Sequence, residues 1–327
     1  MENPFLSFVV TARNDNYGGN WTNRINAFIK VLAHQAQRTK LACELIFVEY
    51  NPPKDKKNMY AELVVPTNQY FSTRFIVVPE KFHATLPRSN EVTVCEFIGK
   101  NIGIRRAKGT YIIATNPDVI YSDELFDFFA SNKLADNLFY RINRRDSSID
   151  FVEPQLDAQQ IISKVTSNVV KIFFNKQTQY VSYKTWLSDF IHGRTKKLFF
   201  QCPLFNKIIA IKTNNEILHE NAAGDFLLMH RNLWEQVRGY DQVTVGSGIL
   251  DSYIMYMLYC KGYRQQIIPY PIFHLYHDHK GVRYLASYNQ FRKDADEMLK
   301  TKKPYKEYSA SWGYPTESFN EVLISSK

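Results

Sequence analysis

The chain has 327 residues, 45% hydrophobic and 22% charged, with 23 Phe and 21 Tyr; this is the composition of a soluble globular protein, long enough for one large domain or two. Its net charge of +9 favours an anionic partner, whether a nucleotide diphosphate, nucleic acid or an acidic membrane face. The basic residues form no long block, which argues against a nucleic-acid tail, and no apolar run approaches the ~18 residues of a membrane span. The strand pattern begins almost at once, at Phe5, so no signal peptide is read and a cytoplasmic protein is expected. Cys43, Cys95, Cys202 and Cys260 are widely spaced in apolar surroundings and read as buried free thiols, which fits a reducing compartment.

The first ~125 residues alternate strand and helix patterns. FLSFVVT (Phe5 to Thr11) is an apolar run suited to a buried strand, followed by a loop at Gly18 and Gly19. Ile25, Phe28, Ile29, Leu32 and Ala36 recur at helical spacing. CELIFVEY (Cys43 to Tyr50), ended by Asn51-Pro52-Pro53, is a second strand, and RFIVVP (Arg74 to Pro79) a third. Val94, Ile98 and Ile102 mark a helix face that Gly109 is expected to close as a C-cap, and YIIAT (Tyr111 to Thr115) is the fourth strand. Strands separated by helices imply an α/β fold with a mainly parallel sheet covered on both faces, and in such sheets ligands sit at the carboxyl ends of strands. From Asn137 to Glu216 no sustained period emerges, and this stretch is taken as an elaboration of the same domain. Order returns with a strand at FLLMH (Phe226 to His230), helices near Asn232 to Arg238 and Ser252 to Lys261, and a last strand from Gln265 to His274. A Lys/Arg- and Tyr-rich tail follows from about Gly281.

Three clusters could carry chemistry. Asn116-Pro117-Asp118 falls just past the fourth strand; it is either a simple turn or, with Arg105, Arg106 and Lys108 upstream, a carboxylate placed to hold Mg²⁺ or Mn²⁺ against a substrate phosphate. His274-Leu275-Tyr276-His277-Asp278-His279 gathers three of the eight histidines. On an extended segment His277 and His279 share a face and His274 does not. The segment is either a solvated strand end or a source of imidazole for a metal site, with a structural zinc site disfavoured because no cysteine lies nearby. Gly246-Ser247-Gly248-Ile249-Leu250-Asp251-Ser252 reads as a loop with Asp251 near a helix N-cap, or as the setting of a general base.

Two blocks, roughly residues 5 to 130 and 217 to 280, together resemble the nucleotide-sugar glycosyltransferases of the GT-A type, in particular the family 2-like group. VVTARND (Val9 to Asp15) is similar to that family's opening strand and loop, and VEYNPP stands where it has an acidic nucleoside-binding strand end. GKNIGIRRAKGTYIIATNPD resembles its helix-strand-D-x-D signature. NAAGDFLLMHRNLWEQVRGYD (Asn221 to Asp241) resembles its acceptor-side block, GILDS its Glu-Asp region and HLYH its late metal-binding histidine. The resemblance implies one large Rossmann-like domain over residues 1–280. Residues 1–130 would form the donor half, 217–280 the acceptor and metal half, and 137–216 an insertion, with 281–327 a basic, Tyr-rich extension.

It also implies roles. Thr11, Arg13, Asn14, Lys100, Asn101 and Asn116 would border the donor, with Glu49 near the base or ribose. Asp118 with His274 or His277 would bind Mn²⁺ or Mg²⁺, Asp225 would face the acceptor or transferred sugar, and Asp251 would be the base of an inverting transfer. The partners implied are a nucleotide-diphosphate sugar and a glycan, lipid-linked or protein acceptor. Nucleic acid is not among them, and peripheral contact with an acidic membrane is left open. The sequence departs from the family pattern at Asn116, where the first acid of D-x-D is expected, and at Leu250, where a Glu is expected. A nucleotidyltransferase of related fold would need a basic, Gly-rich loop after the first strand, and Gly18-Gly19 lacks its Lys/Arg. A catalytically inactive nucleotide- or sugar-binding module is the alternative from another class.

Overall fold

The computed structural model describes residues 3–148, 155–174, 177–192, 218–244, 249–277 and 285–326. Cys202, the Gly246-Ser247-Gly248 loop, Asp278 and His279 lie outside them. In chain order the strands and helices are β1 (Leu6–Ala12), α1 (Trp21–Thr39), β2 (Cys43–Tyr50), α2 (Met59–Glu62), β3 (Phe71–Val78), α3 (Glu80–His83), α4 (Glu96–Arg106), β4 (Tyr111–Thr115), β5 (Val119–Tyr121) and α5 (Asp123–Ala130). They continue with β6 (Leu138–Ser148), α6 (Ala158–Ser167), β7 (Val169–Phe174), β8 (Gln177–Tyr180), α7 (Tyr183–Ile191), β9 (Phe226–His230), α8 (Arg231–Val237), α9 (Leu250–Cys260), β10 (Arg264–Tyr276), α10 (Leu285–Thr301) and β11 (Asn320–Ile324). No described helix is long and apolar enough to cross a membrane.

The result is a mixed α/β fold built on one large sheet, ordered β11-β3-β2-β1-β4-β9-β6-β10-β5, with β7 and β8 branching from β6. β3, β2, β1 and β4 pair in parallel. β9 runs against β4, and β6 runs against β9, so β6 and its parallel neighbour β10 point the same way as the first four. Six strands therefore present their carboxyl ends along one edge. Thr11, Asn51, Asp146 and His274 all lie toward that edge, as does the β4–β5 turn that carries Asp118.

Alternating residues of β1 feed two cores, one on each face. Leu6, Phe8 and Val10 pack with α1, α5 and α6, while Val9 packs with α4, α8, α9 and α10. Each fully buried Phe, Leu or Ile in these layers contributes about 1.5–3 kcal/mol by removing apolar surface from water. Helix α4 lies directly on β1 because Gly99 and Gly103 face it: a Cβ would meet Thr11 Cγ2 at 2.4 Å at the first and Val9 Cγ1 at 2.5 Å at the second.

Two sequence expectations change here. Helix α4 ends at Arg106 with Ala107 extended, so Gly109 is no left-handed cap; it is required because a Cβ there would stand 2.4 Å from Ser7 Oγ and 2.6 Å from Ser7 N. The stretch without a readable period supplies β6, a strand inside the sheet, along with α6, β7, β8 and α7. The tail is also integrated: β11 pairs antiparallel with β3, and Phe291, Met298, Tyr308 and Trp312 are buried in the second core.

Candidate active site

Asp118 leaves β4 in the Asn116-Pro117-Asp118 turn and enters β5, which pairs with β10 so that Val119 lies opposite His274. This pairing brings the late histidines onto the early carboxylate. Asp118 Oδ2 lies 3.2 Å from His277 Nε2 and 3.7 Å from His274 Nε2, and accepts a hydrogen bond of 2.6 Å from Arg24 Nη1. All four side chains are buried. Burial alone would raise the Asp118 carboxyl, but His274, His277 and Arg24 outweigh it and hold the group well below the ordinary carboxylate range. Burial likewise opposes a charged His274, and the Asp118 and Asp146 carboxylates overcome it and raise its pKa. Strand alternation predicted that His274 and His277 would face apart. They converge because β10 ends at Tyr276 and the alternation no longer governs His277.

Arg24 comes from the buried face of α1. Its remaining donors bind the carbonyls of Tyr17 and Gly19, so one side chain ties Asp118 to the loop after β1. That loop packs over His277, with the Tyr17 ring edge-on at 5.3 Å. Gly18 is the closest point: at φ +69° its missing Cβ would stand 2.4 Å from His277 Nδ1.

Asp118, His274 and His277 offer ligand atoms within 4.8 Å of one another. One carboxylate oxygen and two imidazole nitrogens make a mixed O/N donor set for a divalent metal, the carboxylate suiting Mn²⁺ or Mg²⁺ and the imidazoles a first-row transition metal. The local charge also fits. Asp118, Asp146 and Asp225 face two guanidinium groups, Arg24 and Arg144, so with the His274 and His277 imidazoles neutral, as metal ligands must be, one negative charge remains for a further cation. The residues therefore fit a metal, which would have to share Asp118 with Arg24.

Asn116 stands at the centre of the adjoining wall. Its Oδ1 accepts from Lys100 Nζ at 2.8 Å and its Nδ2 donates to Asp225 Oδ1 at 2.7 Å. An amide can do both, whereas a carboxylate could not donate to Asp225. Lys100 is fully buried, with Nζ also donating to Glu96 at 2.6 Å and the Gly224 carbonyl at 2.9 Å. Asp225 receives Arg144 on its other oxygen. Burial pushes the Asp225 carboxyl up, and Arg144 and His274 more than reverse this. Asp251, in the first turn of α9 and half-buried, behaves oppositely. Burial raises its carboxyl to about 6, Arg141 offsets part of that rise, and Glu96 adds to it. Its Oδ2 lies 3.3 Å from where a Gly224 Cβ would be, next to the carbonyl that holds Lys100.

The expected donor residues divide into two groups. Arg13 and Asn14 remain at the strand edge. Arg13 Nε donates to the Asn51 carbonyl at 2.7 Å and Asn14 Nδ2 to Glu62 Oε2 at 2.7 Å. Asn14 lines an open cavity of about 580 Å³ with Asn16, Trp21, Lys56, Lys57 and Glu62. The others are turned inward. Thr11 is buried against Gly99. Glu49, expected near the base or ribose, accepts the Met59 N–H on both oxygens at 3.0 Å and so anchors α2, and burial pushes its carboxyl up to about 7. Asn101 exchanges two hydrogen bonds of 2.8 Å with the Tyr240 backbone and fixes the turn after α8. Lys100, expected close to the donor, has all three donors engaged within the protein.

Four residues escaped the sequence reading: Arg24, Arg141, Arg144 and Asp146. Arg141 is fully buried and donates to the carbonyls of His219 and Asn221, fixing the segment ahead of Asp225. Arg144 and Asp146 pair with each other and link His274 to Asp225.

No family model and no curated protein matches the sequence. Among solved structures, the chain is similar to the catalytic domain of Drosophila β1,4-galactosyltransferase 7, determined in complex with xylobiose. Identity is 11%, the match covers 94% of this chain and 82% of that one, and the TM-score is 0.40.

Proposed function

We propose that this protein is a GT-A-type glycosyltransferase that moves a sugar from a nucleotide-diphosphate sugar to a hydroxyl group of a glycan, lipid-linked or protein acceptor. The observation that carries the reading is the convergence of Asp118, His274 and His277 beside Asn116, Asp225 and Asp251 at the carboxyl edge of the sheet, where α/β folds bind ligands.

Asp118, His274 and His277 would hold Mn²⁺ or Mg²⁺. When bound, the metal supplies positive charge that offsets the developing charge of the diphosphate leaving group. Arg13 and Asn14, with the cavity beside Trp21, would receive the nucleoside, while Thr11 supports that surface from below. Asp225 would orient the transferred sugar or the acceptor, held by Asn116 and Arg144. Asp251 would take the proton of the acceptor hydroxyl. The freed oxygen then forms its bond to the anomeric carbon as the bond from that carbon to the diphosphate oxygen breaks, inverting the centre. A carboxyl at about 6 is ionised at neutral pH yet remains a stronger base than an ordinary aspartate.

The test is release of nucleoside diphosphate from a panel of nucleotide sugars, with and without mixed hydroxyl acceptors. Acceptor-dependent release by the wild type, abolished in Asp251→Asn while donor binding persists, is the expected result. Absence of both binding and turnover for every donor would overturn the assignment.

A further inference from the structure

Behind the proposed metal donors lies a carboxylate on another strand. Asp146 on β6 is the register partner of His274 on β10, so the two side chains leave adjacent strands on the same face. Asp146 is 1% exposed, and its Oδ1 lies 3.4 Å from His274 Nδ1 while the opposite ring nitrogen, Nε2, faces Asp118. Arg144, two residues earlier on β6, meets the same carboxylate, with Nε 2.9 Å from Asp146 Oδ1, Nη2 donating to Oδ2 at 3.5 Å and Nη1 on Asp225. The Arg144 guanidinium also sits 4.0 Å from the centre of the Phe173 ring, which limits its movement.

We propose that Asp146 is the positioning residue for His274, with Arg144 as its brace. The carboxylate accepts from the Nδ1–H of the ring, which leaves the Nε2 lone pair directed at the Asp118 cluster. An imidazole has one donor and one acceptor nitrogen when neutral, so the partner at one decides what the other can do. Carboxylates in this position fix tautomer and ring orientation and make the other nitrogen a better ligand. Because Arg144 also grips Asp225, the ring orientation and the sugar-side carboxylate share one support. The proposal rests on reading Asp118, His274 and His277 as the metal donors.

Two measurements on the full chain test it: Mn²⁺ binding followed by electron paramagnetic resonance, and ¹⁵N imidazole spectra at mildly alkaline pH without metal. The wild type should show His274 as the Nδ1–H tautomer. Asp146→Leu removes the acceptor and should weaken Mn²⁺ binding by about 10–100-fold. Asp146→Asn keeps the shape but can offer its NH₂ to Nδ1, so it should populate the Nε2–H tautomer and also lose affinity; it serves if the leucine variant fails to fold. Unchanged tautomer and unchanged Mn²⁺ affinity in a folded variant overturn the proposal. If the wild type binds no Mn²⁺, the metal reading fails on its own. The spectra then decide the positioning role: loss of the Nδ1–H form in Asp146→Asn sustains it, and its persistence ends it.

Discussion

Asp118 and Asp251 are aspartates on two walls of the proposed site, and their surroundings drive them apart. Asp118 faces Arg24, His274 and His277, and its carboxyl is held down. Asp251 has Arg141 and Lys100 nearby without a hydrogen bond from either, and its burial beside Glu96 and Asp225 pushes the carboxyl up to about 6. Burial disfavours charge at both sites, so the difference comes from the partners. In the proposed site one wall keeps a carboxylate ionised for a cation and the other leaves a carboxylate able to accept a proton, the proposed division between holding charge and moving protons.

The comparison can be broken most severely at Asp251. Asp251→Asn should cut transfer by roughly 10²–10⁴-fold with donor binding retained, measured by product formation and by donor titration. Transfer near the wild-type rate would remove Asp251 as the base. Asp118→Asn leaves the fully buried Arg24 without its counter-ion and should destabilise by about 3–5 kcal/mol in urea unfolding.

The two substitutions should also differ in sign. A carboxyl raised on folding destabilises the native state once it ionises, so wild-type stability from this group falls as pH rises from its unfolded value through about 6. Asp251→Asn should therefore be at least as stable as wild type above that pH. Asp118, with its pKa lowered on folding, contributes stability above its unfolded value that is lost as pH falls through the folded one, so the Asp118→Asn deficit should shrink in acid. Urea titrations across pH check both. In the same frame, the acid limb of kcat/KM should fall near pH 6.

Smaller effects fall on the parts that join the walls. Asn116→Asp would complete a D-x-D pattern yet lose the amide hydrogen bond to Asp225 and set two carboxylates together, costing about 1–3 kcal/mol. A variant with raised stability would refute the account of Asn116 as a two-way bridge. Gly18→Ala should cost about 1–3 kcal/mol through its left-handed backbone and its clash with His277, and should disturb the His277 imidazole resonances more than those of His83.

The parts of the fold that could be read in the sequence are those where residue type and burial agree. β1, β2, β3 and β4 are apolar runs buried on both faces, and α1 carries its apolar stripe at helical spacing. β6 was not legible because its buried residues include Arg141, Asp146 and Ser147, which no hydrophobic pattern reveals. β11 hides for a different reason: it is a five-residue edge strand whose aliphatic run Val322-Leu323-Ile324 is short and only partly buried.

For the site, Asp118, Asp225, Asp251, His274 and His277 were named from the chain; the structure brings Asp118, His274 and His277 together and sets Asp225 against Asn116. Glu49, Lys100 and Asn101 were assigned to ligand, and the structure shows them bonded to backbone groups of the protein, which a buried polar side chain near a strand end satisfies as readily as substrate. Arg24 did leave a trace: it falls on the buried stripe with Trp21, Ile25 and Phe28, where a lone charge calls for a buried partner.

The most direct test is the melting temperature of the wild type with nucleoside diphosphates, with and without Mn²⁺ or Mg²⁺. A ligand that binds the native state raises it by mass action. The account predicts a rise for at least one diphosphate that depends on the metal and disappears in Asp118→Ala. No response to any diphosphate, with or without metal, would contradict it.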